Sequence, residues 1–115
     1  MKTFRYRQDI NTLKLNDTEK EFFAKDGQKS VFENILNQAL STKYPQGIPA
    51  KTGRILARIY TKLDATEVDT LELEEAEFEL VRDALTGEEA RFAPQQFRLL
   101  SLYAAAIEAA AKDSK

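Results

Sequence analysis

The chain of 115 residues contains no cysteine, no histidine and no tryptophan, and only four glycines and three prolines. Without cysteine there are no disulfides, no thiolate nucleophile and no thiolate metal ligand. Without histidine the usual general base near neutral pH and the commonest metal ligand are both missing. No apolar run approaches the roughly 20 residues that span a bilayer. Met1-Lys2-Thr3-Phe4-Arg5-Tyr6-Arg7 is charged and alternating, with no apolar stretch of a secretory signal. These absences predict a cytoplasmic protein that is not an enzyme and needs no cofactor, metal, membrane or small-molecule substrate. The four serines have no histidine to activate them. The few glycines match neither GxGxxG nor a Walker A loop.

Hydrophobic residues make up 43% of the chain and charged residues 31%, enough apolar material for one core. The length suits one domain, 1–115, with 113–115 expected to fray. Net charge is −2, but its distribution is uneven. Ser41–Leu63 carries Lys43, Lys51, Arg54, Arg58 and Lys62 and no acid, a net of +5. Asp64–Arg91 carries eleven acids against Arg82 and Arg91, a net of −9.

Periodicity predicts an α+β, helix-dominated domain of about four helices. Phe4 and Tyr6 alternate with Thr3, Arg5 and Arg7 as in a half-buried strand. A weaker repeat at Thr12–Leu15, with a turn at Asp9–Asn11, makes a short N-terminal β-hairpin. Phe22 and Phe23 show no assignable period. Ser30 with Glu33 reads as a capping box, opening helix one through Leu40. Helix two spans about Ala50–Leu63 and contains Gly53, which costs roughly 1 kcal/mol against alanine unless a neighbour packs there. Val68, Leu71 and Leu73 form a short strand before helix three. That helix begins near Glu74 and ends at Gly87, expected as its C′ residue. Pro94 suits the first turn of helix four, which runs to about Lys112.

Three surfaces are candidates for function. Lys51, Arg54, Arg58 and Lys62 form a narrow basic stripe on helix two. Such a stripe can track phosphates, with Tyr44 or Tyr60 stacking on a base. Alternatively it meets the acidic segment of its own fold, or is solvated. Glu75, Glu79 and Asp83 line one side of helix three, opposite its apolar face, and read as a solvated face. Helix four is apolar over most of its circumference, and Phe97, Leu99, Leu102 and Tyr103 are candidate contacts for another protein. A helix of this kind either lies at the centre of the fold or exposes a patch.

The order of elements is a β segment, an apolar helix, a basic helix, the run Val68-Asp69-Thr70-Leu71-Glu72-Leu73-Glu74-Glu75-Ala76-Glu77-Phe78-Glu79-Leu80-Val81, and a last helix after Pro94. It resembles small proteins encoded by tailed bacteriophages. The resemblance implies a phage protein, in the host cytoplasm or the virion, that works in assembly or host interaction by contact with other proteins. The sequence therefore predicts a non-enzymatic protein–protein interaction module that can self-associate. The alternative is a nucleic-acid-binding regulator using the basic stripe.

Overall fold

The computed structural model describes residues 1–8, 17 and 27–112, and the side chain of Gln95 is outside that description. The elements, in chain order, are β1 (Lys2–Arg5), α1 (Gln28–Lys43), α2 (Ala50–Ala65), β2 (Thr70–Leu73), α3 (Glu75–Thr86), a 3₁₀ turn (Pro94–Gln96) and α4 (Phe97–Lys112). The fold is α+β and helix-dominated, as the periodicity predicts.

β1 and β2 pair antiparallel, Lys2 with Leu73 and Arg5 with Thr70. The pairing continues past the strand, where Tyr6 N–H and Arg7 N–H both donate to the Asp69 carbonyl at 3.2 and 3.3 Å. The strand partner of Phe4 is thus Leu71. The expected turn at 9–11, the strand at 12–15 and the Phe22–Phe23 stretch lie outside the described residues, as does the expected fraying at 113–115.

Alternation sends Phe4 and Tyr6 of the first segment, and Leu71 and Leu73 of β2, to the same buried face. There Phe4, Tyr6, Phe32 and Tyr103 form an aromatic nest. Phe4–Phe32 and Phe32–Tyr103 ring centroids lie 5.4 and 5.6 Å apart, the second pair edge-on. The Tyr6 hydroxyl leaves the nest by donating to the Val68 carbonyl at 2.8 Å. The Tyr103 hydroxyl is buried with no hydrogen-bond partner among the described residues. Leu36, Leu40, Ile59, Leu63, Phe78 and Val81 extend the core between α1, α2 and α3.

Two helix boundaries differ from expectation. α1 begins at Gln28, with Gly27 as its cap, so Ser30 lies inside the helix. The Gln28 amide explains the early start. Its Oε1 accepts from Gln8 N–H at 2.6 Å, and its Nε2 donates to the Gln8 carbonyl at 2.9 Å. This buried pair of bonds ties the first turn to the chain leaving β1. α3 closes at Gly87 with φ −73°, not in the left-handed conformation expected of a C′ residue. Glycine fits there for another reason, because a Cβ would collide with the Asp83 carbonyl.

Candidate interaction surfaces

The basic stripe divides in two. Lys51, Arg54 and Arg58 are exposed on α2, and none has an ion pair among the described residues. Lys62 is taken up by its own fold. Its ammonium donates to the Glu72 carbonyl at 2.8 Å and to the Glu77 carboxylate at 2.5 Å. Glu77 is 2% exposed at its side chain and Lys62 30%. The same carboxylate oxygen accepts from Glu74 N–H at 2.9 Å, the first orphan donor of α3. One buried carboxylate therefore caps α3 and fixes the end of α2 to the β2–α3 junction. Tyr60 and Tyr44 are half-buried. Tyr60 donates to Asn37, which ties its hydroxyl to α1. Burial, and then the charge of Glu33, push its phenol up to about 12.

Lys62 and Glu77 also sit in a broad open groove with Ala57, Arg58, Thr61 and Glu74. The groove has cations on one wall and carboxylates on the other, so it presents no single sign of charge to a ligand. On α3, Glu75 and Asp83 are exposed, while Arg82 pairs with Glu79 and lies 3.8 Å from Asp83. Among the described residues no group of three or more carboxylates is placed to hold a metal ion. No helix among them is long and apolar enough to cross a membrane.

On α4 the four candidate residues separate. Tyr103 is 0% exposed and Leu99 9%, so both belong to the core and have nothing to offer a partner. Of the two alternatives for this helix, central or exposing a patch, these residues take the first, because β1 lies along α4 and brings Phe4 against Tyr103, with ring centroids 6.3 Å apart. The β ribbon supplies the cover that helices alone would lack. Leu102 is half-buried against the core. Phe97 remains 53% exposed.

Around Phe97 the chain builds an apolar cleft of about 300 Å³ between the end of α3, the 87–93 loop and the start of α4. Leu85, Ala90, Phe92, Phe97, Leu100 and Ala104 line it. Phe92 holds Phe97 edge-on, with centroids 6.4 Å apart and planes at 82°. The loop is fixed from both sides. Arg91 Nη1 donates to the Glu88 and Ala90 carbonyls at 2.5 and 3.2 Å. Gln38 of α1 exchanges amide hydrogen bonds with Gln96 at 3.1 and 3.0 Å and donates to the Arg91 carbonyl at 3.1 Å. Gln96 in turn accepts from Ala93 N–H at 2.8 Å. Phe92 and this loop escaped the sequence reading, since a single aromatic in a short loop has no period. Gly87 and Pro94, at the two ends of the loop, were the local signals.

Exposed Glu88, Glu89, Arg91 and Arg98 stand near the cleft. An aromatic centre with charged neighbours is the usual layout of a protein contact. Comparison with protein-family models, curated proteins and solved structures finds no match to this chain.

Proposed function

We propose that the protein is a non-enzymatic protein–protein interaction module whose contact is centred on Phe97 and the cleft beside it. One observation carries the reading: Phe97 is a large aromatic, 53% exposed, held by Phe92 on a loop that hydrogen bonds pin in place. Scattered exposed apolar residues are ordinary, but a preset aromatic beside an apolar cleft has the character of a binding anchor. The bacteriophage resemblance adds a setting, virion assembly or host interaction, in which a small contact protein has a role. The test is a photoreactive phenylalanine analogue at position 97 in the source cell. A covalent protein adduct supports the reading, and irradiation that yields none refutes it.

A second reading rests on the three unpaired cations of α2. As a nucleic-acid contact, Lys51, Arg54 and Arg58 span about 10 Å of helix and would neutralise about three phosphates. The log of the affinity would then fall with log salt at a slope near −3, and near −1 in the Arg54→Ala, Arg58→Ala variant. The chain's net charge of −2 opposes this reading, because the long-range field repels a polyanion. No binding at low salt disposes of it.

A further inference from the structure

Along the solvent face of α4, charge and size run in a self-complementary order. Phe97 and Arg98 are exposed at its start and Glu108 near its end, with exposed Ser101, Ala105 and Ala109 on the same side. Arg98 and Glu108 lie about 15 Å apart along the axis at 1.5 Å per residue, too far to pair within one chain. Neither has an ion pair among the described residues.

A two-fold axis at the level of Tyr103 would lay a second α4 antiparallel on the first. That single operation brings Arg98 to the level of Glu108 of the other copy, and Glu108 to the level of its Arg98, so opposite charges meet at both ends. It also brings Phe97 to the level of the other copy's Ala109, where small side chains leave room for the ring. Ser101 and Ala105 flank the axis, so the two helices can approach closely. A parallel arrangement would set like charges on each other.

We propose that the partner of the Phe97 surface is a second copy of this chain, bound through an antiparallel α4–α4 contact about a two-fold axis. The proposal rests on the interaction function above and names its partner. The face is small and carries one large apolar anchor per copy, so the dimer is weak, with a Kd on the order of 100 µM.

Sedimentation equilibrium up to about 1 mM tests it. The expected mass rises from 13.1 kDa towards twice that value. Phe97→Asp and Arg98→Glu should each weaken association about tenfold or more. The double exchange Arg98→Glu, Glu108→Arg should return to within about threefold of the parent, because the swapped charges meet again across the axis. A single-chain mass throughout overturns the proposal, as does a double variant no tighter than Arg98→Glu alone. The photoreactive residue at position 97 separates this proposal from the function it rests on. An adduct at twice 13.1 kDa supports the second copy. An adduct of any other mass overturns the second copy and leaves the interaction function standing. Absence of any adduct overturns both.

Discussion

Tyr103→Phe is the substitution whose sign depends most directly on the described core. The Tyr103 side chain is 0% exposed, and its hydroxyl has no hydrogen-bond partner among the described residues. An unsatisfied buried hydroxyl costs about 1–3 kcal/mol in desolvation. Removing it forfeits only the few dispersion contacts of one oxygen, each worth about 0.1–0.2 kcal/mol. The expected net gain is about 1 kcal/mol, or a rise of roughly 4 °C in Tm for a domain of this length. Urea unfolding followed by far-UV circular dichroism, with m unchanged, measures it.

The alkaline limb gives an independent check. Burial pushes the Tyr103 phenol well above its ordinary value, so the folded state holds the neutral form while the unfolded chain ionises near pH 10. The stability from this group is complete below pH 10. It is lost as pH rises above 10 towards the folded pKa, at up to about 1.4 kcal/mol per pH unit. The phenylalanine variant lacks that slope and should unfold at higher pH than the parent. A variant destabilised by 1 kcal/mol or more at neutral pH, on the scale of a lost hydrogen bond, refutes the reasoning, because it means the hydroxyl is bonded.

Three further substitutions follow from geometry. Gly53→Ala should stabilise by about 0.5–1 kcal/mol, since the position is helical and a Cβ there meets nothing within 4 Å; a loss of stability in thermal melts would contradict the open space. Gly87→Ala should do the reverse by about 1–2 kcal/mol, because the added Cβ runs into the Asp83 carbonyl. Lys62→Met strands the Glu77 carboxylate without its cation and should cost about 2 kcal/mol, below the value for a fully buried pair because Lys62 is partly solvated. With Glu77→Gln added, a double-mutant cycle should return a coupling of about 1 kcal/mol or more, and a coupling of zero would place the pair among ordinary surface contacts.

The helices were legible because each repeats an apolar face over two or more turns. Ile55, Leu56, Ile59 and Leu63 announce α2, and Phe78, Val81 and Leu85 announce α3, from spacing alone. What local pattern could not supply was partner choice. The alternation at Phe4 and Tyr6 marks a strand but cannot say that its neighbour is Thr70–Leu73. The same gap concealed the fate of α4, since Leu99 and Tyr103 look surplus until β1 is laid along them. Glu77 was readable in principle, because a glutamate three residues after the cap residue, here Glu74, is a cap signature. It was lost in a run of acids that read as a solvated face. Gln28 left no trace, because its clasp on Gln8 depends on where β1 leads the chain. Phe97 is among the candidates named on α4 and is 53% exposed, while Phe92, which orients it, carried no signal.

The order of synthesis gives the β1–β2 ribbon a further meaning. Thr3 bonds Glu72 across 69 residues of chain, and the first strand's other neighbour, α4, is made after β2. Phe4 and Tyr6 therefore meet Phe32 of α1 early, but their strand partners in β2, and Tyr103, are made much later. At about 5–20 residues per second, synthesis leaves them waiting for seconds. During that interval an apolar alternating strand without a mate is the segment most open to capture by a chaperone or by another nascent chain. Slow codons before residue 70 should lower the soluble yield, and slow codons after residue 112 should leave it unchanged.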